Sequence, residues 1–416
     1  MSPTVQDCHD ADTEQSHRLP EPVQVMPGIA DEQASALASL VALAPELLKQ
    51  TLAVPVRIRL GEILYALNQF STARQCFEQA LGEDPANPEA ANNLGVLQDM
   101  LGEHAAATQT LIAGVRENPA DRNLLDNLFA LLRQRPELLQ ASSQIAASFA
   151  RQRRASSLAA NVADRQRTSL DYAIFMTPRS GSSWLTGMLA RTGVLGDPQE
   201  WFNPNGVLAE TLAVLPCPDL DDYVAKIRRT YCSGNGVFGF EIDYFRLLEL
   251  LIQERRPESL FGPALRHVYL TRRDIVAQAV SLYRAVESGY WDTVRGTEET
   301  KARIGIVDYD ADKIAFWINH ALDQERGFER YFAAYGIEPL RIVYEELVND
   351  PARAIARIAS HVGITLPDDE LVFEVGYKKI GDAINVAWTE RFRAERHALL
   401  DDVAEVRGRL RRGTTA

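Results

Sequence analysis

Leu60-Gly61 returns as Leu94-Gly95, Ala73 as Ala107, Phe77 as Leu111, Leu81 as Val115 and Pro85 as Pro119, each pair 34 residues apart. A unit of this length cannot bury its apolar face alone, so copies must stack. The Ala- and Leu-rich texture from about Ala34 to Arg151 makes each copy a pair of antiparallel helices. Gly61 and Ala73 fall where two helices approach closely, and Phe77 and Leu111 fill the groove between pairs. Asp84-Pro85 and Asn118-Pro119 end the second helix of each pair, because proline cannot continue it.

This pattern resembles the tetratricopeptide repeat. Two units are clear. A third is suggested by Leu128 within the stretch Arg122 to Arg133, where Phe129 occupies the glycine position, and Asp31 to Leu52 reads as a degenerate first unit. Stacked repeats present a concave groove, which implies a protein partner or an extended substrate.

At 416 residues the chain is long enough for two or three units. Its net charge of -13 argues against a nucleic-acid binder, which needs a positive footprint. A local arginine cluster can still attract an anion. Cys8, Cys76, Cys217 and Cys232 are scattered and read as reduced thiols, with neither a disulfide framework nor a zinc site. No apolar run approaches the ~18 residues of a membrane span. Residues 1–30 are polar and acidic and read as a disordered leader without signal-peptide character. A cytoplasmic protein is expected.

The expected order is the leader, helical repeats over 31–150, a basic Ser-rich linker over 151–170, a second domain over 171–400 and a solvated basic tail over 401–416. From Asp171 short apolar runs alternate with amphipathic stretches, the texture of an α/β domain with a parallel sheet. Tyr172 to Met176 suits a buried strand, and Trp184 to Arg191 a helix. Between them lie Arg179-Ser180-Gly181-Ser182-Ser183. Backbone N–H groups and the positive helix terminus converge there on a point suited to an anion. Gly181 lets the backbone come close, Ser182 and Ser183 add hydroxyls, and Arg179 brings a planar, permanent charge. Taken alone, the loop fits a Ser-rich helix cap equally well. The G-x-x-x-x-G-K-[ST] spacing of a Walker loop is absent, and no metal is expected.

A second strand–helix junction breaks that tie. His267 to Thr271 reads as a strand, followed by Arg272-Arg273-Asp274 and a helix from Ile275 to Ala285. Arg273 stands at the strand's end and Ser281 about two turns into the helix, so the pair can bracket a phosphate. Two such junctions at neighbouring carboxyl ends of a parallel sheet make a nucleotide crevice.

At these residues the chain resembles the sulfotransferase superfamily, whose fold is an α/β sheet with a P-loop-like phosphosulfate loop. The match is closest to the bacterial trehalose-sulfotransferase type. It is carried by Arg179-Ser180-Gly181-Ser182, Asp197-Pro198-Gln199-Glu200-Trp201-Phe202, Arg273-Asp274 through Ser281 to Ala285, and Trp388-Thr389-Glu390-Arg391-Phe392. The resemblance implies 3′-phosphoadenosine 5′-phosphosulfate (PAPS) as sulfuryl donor. Arg179, Ser180, Gly181, Ser182, Ser183 and Trp184 would hold its 5′-phosphosulfate, Arg273 and Ser281 its 3′-phosphate, and Arg391 would join the pocket. Arg179 would also stabilise the leaving charge, and Glu200 would be the base. Glu241 and Asp243 are reserve bases; the family commonly has a lysine where Glu241 stands. The expected function is sulfuryl transfer to a hydroxyl of a large acceptor, such as a peptide, a carrier-bound intermediate or a glycan, recruited by the repeats. The competing readings are a non-catalytic repeat adaptor with a degenerate nucleotide-binding domain, and a phosphotransferase using ATP.

Overall fold

The computed structural model describes residues 39, 41–155, 168–291, 296–367 and 382–411. The expected leader over 1–30, residues 156–167 of the expected linker and residues 412–416 lie outside the described residues. The chain divides into two compact units, Met1–Gln134 and Arg135–Ala416.

In the first unit residues 41–47 are helical. There follow α1 (Val54–Ala66), α2 (Phe70–Glu83), α3 (Pro88–Met100), α4 (His104–Glu117) and α5 (Arg122–Gln134). The two 34-residue copies are the pairs α1–α2 and α3–α4. A Cβ added at Gly61 would lie 2.6 Å from the Phe77 ring, and one at Gly95 2.7 Å from Leu111. The small residue of each copy is therefore where the large one of the same copy presses in. Helices α2 and α4 stop one residue before Asp84 and Asn118, each followed by its proline. Asn87 caps the next pair, accepting from the Ala90 N–H at 3.0 Å, with Pro88 at the first helical position. Helix α5 buries Leu124 and Leu128 fully, but it is the last helix of this unit.

The second unit opens with the helices Pro136–Ser142 and Gln144–Ala155, which the helical texture had suggested belonged with the repeats. Ile145 and Phe149 are part of this unit's own core, and Glu249 accepts from the Ile145 N–H at 2.9 Å. The centre is a four-stranded, all-parallel sheet in the order β2-β1-β3-β4: β1 is Leu170–Met176, β2 Val237–Ile242, β3 Arg266–Thr271 and β4 Leu340–Val343. Side chains alternate across it. Ala173 and Phe175 of β1, with Phe238 and Phe240 of β2, pack into an aromatic layer that includes Phe328 and Phe332. On the other face Tyr172, Ile174 and Met176 meet Leu185, Met188 and Leu189 of α6 (Ser182–Arg191). A strand covered on both faces reads as a continuous apolar run, as β1 does.

Four more helices matter for the site: α7 (Ile275–Ser288), α8 (Ala311–Ala334), α9 (Ala383–Glu395) and α10 (His397–Arg411). The tail expected to be solvated is ordered in α10 as far as Arg411. Its Arg407 is buried, paired with Glu325 through two 2.8 Å hydrogen bonds, and donates to the Arg272 and Arg273 carbonyls at 2.5 and 2.7 Å. The basic composition had suggested solvation. A buried acid and two strand-end carbonyls that need donors explain why the arginine turns inward instead.

Candidate active site

β1 and β3 are neighbours, so both strand–helix junctions open at the same edge of the sheet. At the first junction β1 ends at Met176 and α6 begins at Ser182. Arg179 (φ 65°) and Gly181 (φ 89°) both take the left-handed conformation, which turns the chain sharply before the helix. A Cβ at Gly181 would sit 2.4 Å from the Tyr344 ring, so only glycine fits. No side chain caps α6 at Gly181, so the first N–H groups of the helix have no side-chain acceptor at the cap position.

The loop's unusual backbone is gripped by side chains from the second junction. Gln278 of α7 donates to the Thr177 hydroxyl at 2.7 Å and to the Pro178 carbonyl at 2.8 Å. Arg272 donates to the Arg179 carbonyl at 3.0 Å while its guanidinium lies over the Tyr344 ring, 4.7 Å from the centroid. Arg179 itself reaches across to Ser281, Nε to Oγ at 2.9 Å, and also donates to the Trp291 carbonyl. Arg272 and Gln278 were not anticipated as site residues. The doubled arginine at the end of β3 was the available signal for the first, and membership of the Arg273-to-Ala285 signature was that for the second.

Three buried polar atoms around this loop have no hydrogen-bond partner: Ser180 Oγ, Arg272 Nε and Gln278 Oε1. Ser180 is 0% exposed. Buried groups are nearly always paired; Ser180 Oγ and Arg272 Nε are donors of the kind an anion takes up beside a helix start, whereas Gln278 Oε1 is an acceptor and is not.

The second junction is built differently. Glu345 accepts from the backbone N–H groups of Arg273 and Asp274, both at 3.0 Å. Asp274 caps α7, accepting from the Ala277 N–H at 3.0 Å. The Arg273 side chain is 53% exposed and pairs with Glu346. Arg391 is not brought to either junction: its guanidinium lies over the Tyr309 ring at 3.9 Å and pairs with Glu395 at 2.7 Å. It is Arg393 that reaches the second junction, bonding Asp274 at 2.8 Å. The two differ by about half a helical turn, a distinction that a linear motif does not carry.

Glu200 follows the segment in which Gln199 bridges to Phe240 of β2, and Asn203 donates to its carboxylate at 2.7 Å. On β2 Glu241 is 5% exposed and lies beside α6, hydrogen-bonded by the Ser182 and Thr186 hydroxyls. Burial, and then the charge of Glu200, push its carboxyl up to about 8. Asp243 is occupied in capping the helix Tyr244–Leu251, where it accepts from the Arg246 N–H at 3.0 Å. His267 bonds Glu258 at 2.8 Å and stacks on Phe175, far from the strand's carboxyl end. Among the described residues no cluster of three or more His, Cys, Asp or Glu side chains is arranged to hold a metal.

The model of the Stf0 sulphotransferase family matches residues 171–395, more than half of the chain. The chain belongs to the Stf0 sulphotransferase family. A tetratricopeptide-repeat model matches residues 64–132. The trehalose 2-sulfotransferase of Mycobacterium tuberculosis is 30% identical, over 54% of this chain and 94% of that one. The trehalose 2-sulfotransferase of Mycolicibacterium smegmatis is 28% identical over the same shares. Among solved structures, the sulfotransferase domain of the Synechococcus PCC 7002 olefin synthase covers 57% of this chain and 91% of that one. It is 15% identical, with a TM-score of 0.35. The Stf0 match takes in both junctions and the Glu200 segment, so this second unit is a sulfotransferase unit. No helix among the described residues is long and apolar enough to cross a membrane.

Proposed function

We propose that this protein transfers a sulfuryl group from PAPS to a hydroxyl of a large acceptor recruited by the repeat unit. The observation that carries the reading is the uncapped start of α6 beside the unmet Ser180 hydroxyl and the Arg179 guanidinium. The first N–H groups of α6, with Ser182 and Ser183, would take the 5′-phosphosulfate. Arg179 would neutralise charge developing on the oxygen that bridges sulfur and phosphorus. Arg273 and Ser281 would receive the 3′-phosphate; Arg273 must then exchange Glu346 for it.

Glu200 is the proposed base. It takes the proton of the acceptor hydroxyl as that oxygen bonds to sulfur and the sulfur–oxygen bond to the phosphate breaks. The products are the sulfated acceptor and adenosine 3′,5′-bisphosphate, and the proton rests on Glu200.

The relatives named for trehalose support a hydroxyl acceptor of carbohydrate type. Their alignment with this chain already spans 94% of the relative, and the repeats at 64–132 lie outside the sulphotransferase match. A sugar acceptor therefore does not call for the repeats, and their presence favours an acceptor presented on something larger. The free thiols Cys76, Cys217 and Cys232 suit the reducing cytoplasm.

The test is thermal stabilisation by adenosine 3′,5′-bisphosphate, compared with ATP plus Mg²⁺, followed by transfer from labelled donor into host-cell extract. Stabilisation by the bisphosphate and label in a macromolecular fraction are expected. A response to ATP plus Mg²⁺ alone would overturn the donor assignment.

A further inference from the structure

Glu241 is the least expected residue of the site. Side chains on β2 alternate, so Val237, Gly239 and Glu241 share a face, and Val237 lies in the apolar layer between sheet and α6. Glu241 pairs in register with Ile174, which lies in that layer. A carboxyl in such a place is normally neutralised by a cation. Among the described residues Glu241 has no ion-pair partner, and its Oε2 is buried with no hydrogen bond.

The groups that face it are few. Ser182 and Thr186 approach from α6, Glu200 from the segment bonded to β2, and Tyr172 from β1. Its own N–H donates to the Gln199 carbonyl at 2.9 Å, which fixes Glu200 next to it. The Ser182 and Thr186 hydroxyls favour the charged form, but they leave Oε2 without a partner and bring no positive charge to a buried carboxyl. An ionised Glu241 would face the Glu200 charge and, when donor is bound, the anion above α6.

We propose that Glu241 and Glu200 form a carboxyl pair sharing one proton, which Glu241 holds, so that Glu241 acts as a positioning residue keeping Glu200 ionised as the base and the floor of the anion cradle neutral. The inference rests on the sulfuryl-transfer reading above for the role of Glu200. The placement of the proton does not depend on that reading. Burial raises the Glu241 pKa above its ordinary value, so the stability of the neutral form is complete at low pH and lost as pH rises through about 8. Donor binding favours the same protonated state. Affinity should then fall with pH over the same range.

Two measurements test this. Calorimetric titration with adenosine 3′,5′-bisphosphate between about pH 6.5 and about pH 9.5 should show affinity falling about tenfold or more in the wild type. In Glu241→Gln, which keeps a neutral donor group, the affinity should vary by less than about twofold over that range. Infrared titration of the ligand-free wild type should show a protonated-carboxyl band that fades as pH passes about 8 and is missing from Glu241→Gln. The proposal is overturned if the wild-type band is absent at neutral pH, or if both proteins lose affinity in parallel. A wild type that shows the band but binds no bisphosphate at any pH keeps the proton on Glu241 and refutes the donor assignment instead.

Discussion

The two strand–helix junctions occupy adjacent places at one edge of the sheet, yet one is open and the other closed. At the end of β1, α6 starts without a side-chain cap, two residues adopt left-handed backbone, and the Ser180 hydroxyl has no partner. At the end of β3 the N–H groups of Arg273 and Asp274 are taken by Glu345, and Asp274 caps α7. The equivalent backbone positions thus do different jobs. The first junction leaves its helix start without a side-chain cap, whereas the second satisfies its N–H groups internally through Glu345 and Asp274. The closed junction also holds the open one in shape, through Gln278 on Thr177 and Pro178 and Arg272 on the Arg179 carbonyl.

That asymmetry can be attacked at several points. Arg179→Ala removes the side chain that spans from the open loop to Ser281, and should slow transfer from labelled donor by about 10²–10³-fold. Gly181→Ala forces a Cβ into the Tyr344 ring and a left-handed alanine; a stability loss of about 1–3 kcal/mol is expected in denaturant unfolding, together with loss of bisphosphate binding. Glu345→Ala uncovers the two N–H groups of the closed junction. It should cost about 1–3 kcal/mol of stability yet leave the open loop able to bind, though more weakly as its buttress loosens. Arg391→Ala should be the mildest, with the denaturant midpoint and bisphosphate affinity both unchanged, because its contacts are Tyr309 and the exposed Glu395.

What the sequence made legible follows from how local each feature is. The 34-residue copies and the apolar run of β1 are patterns along the chain, and both emerge as helix pairs and as a central strand. The open loop was legible because glycine and serines at a strand–helix boundary are a local signal. The extent of the repeats was harder, because helical texture does not say which core a helix joins. Ile145 and Phe149 join that of the second unit. Arg407 read as solvated because its partners Glu325, Arg272 and Arg273 are more than 80 residues away in sequence. Glu241 looked like a departure from a family lysine. Only the fold shows it buried against α6 and next to Glu200.

The comparison of the junctions is most directly tested by titrating adenosine 3′,5′-bisphosphate into the wild type, Arg179→Ala and Arg273→Ala side by side. Arg179 lines the open junction, whereas Arg273 must first give up Glu346 and is half-exposed. The loss of affinity should therefore be about tenfold greater for Arg179→Ala, as expected when the better-desolvated charge is removed. Equal losses, or a larger one for Arg273→Ala, would contradict the assignment of the β1–α6 loop as the principal anion cradle.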